Sequence, residues 1–273
     1  MFRALLVGLF ATSVVLTSPE VTPDPVPTEW NKAGKGKTYV LYRRHDVKAM
    51  NQGAVGSCVG AATAKGLELL HGIKFSAEFA YGMSRKHFGS HTSPYGGSFV
   101  KWSMQTLKDI GALPSLNYAI FGEDLREYSY RTAKKWERGP PEEMELMAQG
   151  YRTGFVKITT WEEFRGAIAT GHPVVVGSNV GFGKAGNCVR SSSGLLRSQW
   201  WSKWNHAMVF AGVSDGKSKR ALLLNSWGED WVTGPKWLGD EPEGSFWILK
   251  DDVMKMMAQG DMFAILPIEG LPR

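Results

Sequence analysis

Hydrophobic positions follow helical spacing in the first half of the chain and form short strand-like runs in the second half. Small and apolar residues at helical spacing predict helices at 58–70, 76–86 and 98–110. After Gly150, apolar runs separated by glycines predict strands at 154–158, 173–177, 207–212, 221–224 and 245–249. One helix, at 161–170, is predicted among these strands. This order predicts an α+β fold with a helical lobe at about 47–150, a strand-rich, barrel-like lobe at about 151–273, and a cleft between them.

Residues 1–18 are predicted to be a signal peptide. Arg3 precedes an apolar run at 4–16, which is too short to span a bilayer as a helix and matches the core of a secretory signal. A retained membrane anchor or a buried helix is the less favoured alternative. The prolines of residues 19–29 predict an extended linker, and the folded domain is expected at 30–273. The expected location is secreted, periplasmic or in the cell envelope, with no stable membrane span after signal removal.

Composition and charge exclude several classes of protein. With 43% hydrophobic and 21% charged residues, the chain is neither disordered nor collagen-like. The net charge of +6 permits anionic partners, but no long basic run or arginine-aromatic pattern indicates nucleic acid binding. Two cysteines, Cys58 and Cys188, are too few for a disulfide framework and too far apart for a C-x-x-C metal pair. The sequence does not indicate an oligomeric state.

Three polar residues at the ends of predicted elements form a candidate catalytic set. Cys58 lies where a glycine-rich loop enters a helix, and the helix dipole and unpaired N–H groups there favour a thiolate. His206 opens the predicted strand at 207–212, and Asn225 follows the strand at 221–224. A nucleophilic thiol needs a base, and the base needs a group that orients its ring. Taken alone, Cys58 or His206 is better explained as a structural residue, so the hypothesis depends on the three together.

The segments around these residues resemble those of the papain-like cysteine peptidases. Gln-Gly-x-x-Gly-Ser-Cys at 52–58, Asn-His-Ala at 205–207 and Asn-Ser-Trp-Gly at 225–228 occur in the family's order. His206 falls within the family interval of about 130–150 residues after the cysteine, and Asn225 lies a little beyond it. Segments 95–98, 168–174 and 244–248 resemble the family's glycine pair, its Gly-Pro-Val strand entry and its last core strand. The resemblance covers most of residues 40–266 and implies the papain-like two-lobed fold.

The resemblance implies catalytic roles for four residues. Cys58 is expected to be the nucleophile, His206 the general base and then the general acid, and Asn225 the residue that orients His206. Gln52 is expected to donate its side-chain amide to the oxyanion, alongside the backbone N–H of Cys58. The alternative for Gln52 is that its side chain only braces the loop at 53–57.

The resemblance also implies substrate-binding residues and includes departures from the family pattern. Gly96, Gly97 and Trp227 are expected to be substrate-binding residues. The glycines are expected to pair with the substrate backbone, and Trp227 is also expected to shield the hydrogen bond between histidine and asparagine from water. Val59 stands where active members usually have tryptophan, the family's usual disulfide cysteines are missing, and 232–243 is an insert. None of these differences removes a reacting group.

The predicted function is that of a cysteine peptidase, which hydrolyses peptide or protein substrates through a Cys58 thiolate and an acyl-enzyme. Two alternatives stay open: a non-catalytic structural or binding protein of the same fold, and a cysteine acyltransferase that passes the acyl group to an amine.

No metal ion or organic cofactor is expected. The Gly-x-Gly-x-x-Gly match at 181–186 lacks the following helix that a dinucleotide site requires. His87 and His91 lack a third ligand in the sequence around them. Cys188 lies in the same glycine- and serine-rich segment and is interpreted as a surface or half-buried thiol.

Overall fold

The computed structural model describes residues 20–89, 96–183, 188–200 and 205–273, so the predicted signal peptide lies outside the described residues. The helices in these ranges are α1 (Cys58–His71), α2 (Ala77–His87), α3 (Val100–Asp109), α4 (Tyr130–Lys135), α5 (Glu142–Ala148), α6 (Trp161–Ala169) and α7 (Lys250–Met257). The strands there are β1 (Thr38–Val40), β2 (Asn117–Tyr118), β3 (Glu123–Asp124), β4 (Phe155–Lys157), β5 (Val174–Ser178), β6 (Val180–Gly181), β7 (Cys188–Val189), β8 (Gln199–Trp200), β9 (His206–Ser214), β10 (Arg220–Leu224), β11 (Val232–Thr233), β12 (Ser245–Leu249) and β13 (Met262–Ile265).

The α+β class is confirmed, and the predicted helices correspond to α1, α2, α3 and α6. The five predicted strands correspond to β4, β5, β9, β10 and β12. The prediction of one helix in the second half is wrong, because α7 follows β12. Asp251 and Asp252 in its first turn and Lys255 in its last turn complement the helix dipole, and its buried residues Val253, Met256 and Met257 recur at helical spacing. No helix within the described ranges has the length and apolar character needed to cross a membrane.

The main sheet is antiparallel and open. Its strand order is β12-β10-β9-β5-β13-β4, and β1 also pairs with β9. The strand pairing ends at β12 and at β4, so the lobe predicted to be barrel-like is an open sheet with an edge at each of these strands. Strand β9 lies in the middle of the sheet and also contacts α1 and α6, which explains why it is buried from His206 to Ser214. A strand covered on both faces is expected to be a continuous apolar run.

Helix α1 is packed between α2 and the sheet and is buried from Val59 to His71. Two glycines allow this close packing. A Cβ at Gly60 would lie 2.2 Å from the carbonyl oxygen of Ala77 in α2, and one at Gly66 would lie 2.6 Å from the Ile265 side chain in β13. The main core is therefore continuous from α1 to the sheet, and Cys58 lies at the end of a tightly held helix.

Residues 20–29 lie against this core, although the sequence predicts a linker there. The N–H of Asp24 donates to Phe155 O at 2.8 Å, and its carboxylate accepts from Phe155 N at 2.9 Å. Lys108 Nζ of α3 lies 2.9 Å from the same carboxylate, and Thr22 N donates to the Gln105 side chain at 2.8 Å. Ordered contacts with the fold therefore begin before residue 30.

Candidate active site

Cys58 is the first residue of α1 and is half-buried. Burial raises the pKa of its thiol above the ordinary value, because a buried thiolate loses solvation. The backbone N–H groups of Ala207, Val59 and Cys58 itself lower the pKa by a smaller amount. The sequence predicts that the helix start favours the thiolate; in the folded protein, desolvation outweighs that effect.

His206 and Asn225 form a buried hydrogen-bonded pair. His206 Nε2 lies 2.7 Å from Asn225 Oδ1, and the backbone N–H of Ser226 donates to the same oxygen at 2.8 Å. Because Oδ1 is an acceptor, Nε2 of His206 is the donor, and Nδ1 is the basic nitrogen of the neutral ring. Burial lowers the pKa of His206 to about 4, although the bond to Asn225 opposes this shift. The predicted orienting partner of His206 is therefore in contact with it.

Trp227 stacks on the imidazole ring of His206. Their ring centroids are 4.4 Å apart, and the planes are inclined by 29°. The indole also packs edge-on against Trp231, with ring centroids 5.3 Å apart, and its expected part in substrate binding stays a prediction. An apolar ring at this place lowers the local dielectric around the His206–Asn225 bond and strengthens it.

A cleft of about 930 Å3 contains Cys58 and His206 in its lining. Residues from α1 and from the start of α3 line one side, and the end of β5 and the start of β9 line the other. Cys58 begins a helix of the first lobe, and His206 begins a strand of the second. The two candidate reacting groups therefore share one solvent-accessible cleft between the two lobes.

Gly96 and Gly97 also line this cleft. Their φ angles are 70° and 81°, in the left-handed region that favours glycine. A Cβ on Gly56 would lie 2.9 Å from Gly97 N, so the glycine pair approaches the loop before Cys58 closely. Arg85 Nη1 donates to Gly97 O at 2.7 Å and fixes the position of the glycine pair. No sequence signal pointed to Arg85, because a charged residue inside a helix is usually a solvated surface residue.

The side chain of Gln52 is buried, with 5% of its surface exposed, and is held at both ends. Its Nε2 donates to Val55 O at 2.9 Å, and its Oε1 accepts from Ser226 Oγ at 2.5 Å. These contacts are those expected of a residue that braces the loop. A primary amide has two N–H donors, so the second one is available to a group outside this network.

Backbone contacts join the loop before Cys58 to the segment that contains Asn225. Gln52 N donates to Ser226 O at 2.9 Å, and Gly228 N donates to Met50 O at 2.9 Å. Asn51 and Trp227 form an antiparallel bridge between these two bonds. This short pairing connects segments about 175 residues apart and sets the position of Gln52 relative to the His206–Asn225 pair.

Cys188 is buried, with 2% of its surface exposed, so its interpretation as a surface or half-buried thiol is wrong. It belongs to β7, which pairs with β11 in parallel, and its Sγ donates to Phe182 O at 3.4 Å. The pairing partner comes from the insert at 232–243. Because that insert is distant in sequence, the residues around Cys188 do not by themselves predict its burial. Residues 184–187 and His91, which belong to the two cofactor-like patterns, lie outside the described residues.

The fold is similar to that of solved cysteine proteases. Xylellain, a cysteine protease from Xylella fastidiosa, is 19% identical over 90% of this chain and 91% of its own, with a TM-score of 0.65. Digestive procathepsin L 3 of Tenebrio molitor larval midgut is 14% identical over 91% and 75%, with a TM-score of 0.55. Procathepsin B S9 from Trypanosoma congolense is 11% identical over 91% and 82%, also with a TM-score of 0.55.

No protein-family model matches the chain, and no curated protein matches it in sequence. At these identities the likeness is one of fold. The predicted papain-like fold is confirmed: the chain has the architecture of papain-like cysteine proteases, with a helical first lobe and a strand-rich second lobe.

Proposed function

We propose that the protein is a cysteine peptidase in which Cys58 and His206 are the reacting pair. The observation that carries this proposal is the buried His206–Asn225 hydrogen bond of 2.7 Å, in a cleft that Cys58 also lines. A purely structural histidine has no need for an orienting amide beside a half-buried thiol. This arrangement is the one that a thiol nucleophile and its base require.

The reaction begins with transfer of the Cys58 proton to Nδ1 of His206. The thiolate sulfur forms a bond to the scissile carbonyl carbon, and the carbonyl π electrons move to the oxygen. The N–H of Cys58 lies at the start of α1, where it has no partner within the helix, and donates to that oxyanion. The second N–H of the Gln52 amide is the other candidate donor.

Collapse of the tetrahedral intermediate breaks the carbon–nitrogen bond, and the leaving amine takes its proton from His206. Water then attacks the thioester, gives a proton to His206 and releases the acid; the proton returns to the Cys58 sulfur. Burial favours the neutral forms of both Cys58 and His206 before substrate binds. The N–H of Ala207 directed at the sulfur offsets part of that preference.

The apolar run at 4–16 supports export as part of this proposal, with the peptidase acting outside the cytoplasm or in the cell envelope on peptide or protein substrates.

The test is cleavage of a mixed peptide library by the full chain, together with labelling by a thiol-directed peptidyl electrophile. The expected result is cleavage and a single adduct on Cys58, both lost in Cys58→Ala. Cys188→Ala is the matched control, because it removes the other thiol outside the cleft and should leave both results unchanged.

The outcomes separate the alternatives. A folded protein that binds peptides but neither cleaves them nor forms the adduct supports the non-catalytic alternative and contradicts the proposal. Products that carry an added amine in place of water support the acyltransferase.

A further inference from the structure

Lys101 is an exposed lysine in the lining of the cleft, at the start of α3. Its Nζ lies 5.4 Å from the ring centroid of Phe99 and 5.8 Å from that of Trp102. The first turn of α3 contains no acidic residue. A lysine there opposes the positive end of the helix dipole, so the position is unfavourable for the stability of the helix itself.

Few of the described residues that line the cleft carry a charge, and Lys101 is the cation among them. Among the described lining residues, the ionisable side chains are Cys58, Lys101, His206 and Asp261. Asp261 accepts from the backbone N–H groups of Val100 at 2.9 Å and of Lys101 at 2.8 Å, so its carboxylate is directed at the helix start.

The opposing charge in the cleft is that of Asp261: burial raises the pKa of this carboxyl above its ordinary value, and the charge of Lys101 has a smaller effect that lowers the pKa. The Lys101 ammonium takes part in none of the ion pairs of 4 Å or less among the described residues. Among the described residues, the Lys101 ammonium therefore forms no close ion pair and stays exposed in the cleft, where a ligand can reach it.

Next to this charge lies an apolar surface that the fold leaves open. Phe99 is 52% exposed and packs edge-on against Trp102, with centroids 4.7 Å apart. Trp102 in turn stacks on Phe88 at 5.9 Å. An exposed phenylalanine in a concave site is an apolar contact for a ligand, and the ammonium at its edge suits a carboxylate.

We propose that Lys101 makes the cleft select peptides that carry a glutamate or aspartate side chain near the scissile bond. The carboxylate meets the Lys101 ammonium, and the neighbouring aliphatic part of the peptide covers Phe99. The expected effect on cleavage rates rests on the proposed peptidase function. The same preference is expected in peptide binding without cleavage, because it comes from the residues that line the cleft.

The test compares peptide pairs that differ only by glutamate against glutamine, with the exchange made at each position around the cleavage site in turn. At low salt, wild type is expected to favour glutamate at one position by about 2- to 5-fold in kcat/KM, the range for a partly solvated ion pair. The preference should shrink in 0.5 M salt, because screening weakens exposed charge pairs. Lys101→Met should abolish it, and Lys101→Glu should reverse it.

Lys250→Met is the matched control. Like Lys101, Lys250 lies in the first turn of a helix, α7, and its Nζ lies 5.5 Å from the Trp161 ring centroid, but it does not line the cleft. The control should keep the full preference for glutamate. Equal cleavage of every pair by wild type, or a preference unchanged in Lys101→Met, overturns the inference.

Binding to Cys58→Ala keeps the inference testable if no peptide is cleaved. Dissociation constants of the same fluorescent peptide pairs are measured for Cys58→Ala with and without Lys101→Met. A glutamate preference that depends on Lys101 supports the inference even when the absence of cleavage refutes the peptidase. Equal dissociation constants for all pairs refute the inference alone.

Discussion

Replacing Gln52 by alanine should lower both stability and activity, by amounts that can be measured separately. The change removes the bonds from Nε2 to Val55 O and from Ser226 Oγ to Oε1, and leaves both partners buried. A buried polar group left without its partner costs about 1–3 kcal/mol, so the two together predict a loss of about 2–6 kcal/mol. At about 2–4 °C per kcal/mol for a chain of this size, the melting temperature should fall by roughly 4–24 °C.

The kinetic effect depends on the second N–H of the same amide. If it donates to the oxyanion, kcat should fall by about 10- to 1000-fold, and KM should change little, because the charge develops only in the transition state. Kinetics at 25 °C on protein shown to be folded by circular dichroism separate this loss from unfolding. The rate of Cys58 alkylation by iodoacetamide reports whether the loop has moved.

Ser226→Ala is the matched control for Gln52→Ala. It removes the bond to Oε1 but keeps the amide donors, so it should lose about 1–2 kcal/mol of stability and little of kcat. A melting temperature unchanged in Gln52→Ala refutes the bracing contacts. A kcat unchanged in the folded variant, or reduced equally in Ser226→Ala, refutes the oxyanion role.

Two further predictions concern thiol reactivity and pH. Iodoacetamide should label Cys58 faster than Cys188, which is 2% exposed, and mass mapping checks this; equal slow labelling of both thiols contradicts it. Burial, and secondarily the charge of Arg273, lowers the pKa of His172 from 6.5 to about 4. As the pH falls from 6.5 toward 4, the histidine is protonated in the unfolded chain but stays neutral in the folded protein. The free energy of unfolding should therefore decrease, by about 2 kcal/mol between pH 7 and 5. His172→Phe should lose correspondingly less stability in urea unfolding over that range, and an unchanged loss would count against the assignment.

Local sequence was sufficient to predict the main helices and strands and to identify the candidate reacting residues. The spacing of small and apolar residues in α1 predicted a helix that begins at Cys58, because helix periodicity depends on neighbours three and four positions apart. His206 and Asn225 were identified because each lies at the end of an apolar run. Helix α7 was missed, although Val253, Met256 and Met257 lie at helical spacing.

Only the tertiary structure decided how these residues are surrounded. The pairing of segments 50–52 and 226–228 gives Gln52 its two partners, and the stacking of Trp227 on His206 depends on the same approach. The direction of the Cys58 pKa shift was predicted from the helix dipole, a local property, but burial under distant residues reverses it.

The charge of Lys101 beside Phe99 was also invisible in the sequence, because only folding shows which surface residues line a cleft. Periodicity is a property of near neighbours, whereas burial and pKa depend on groups that the chain brings together from far apart.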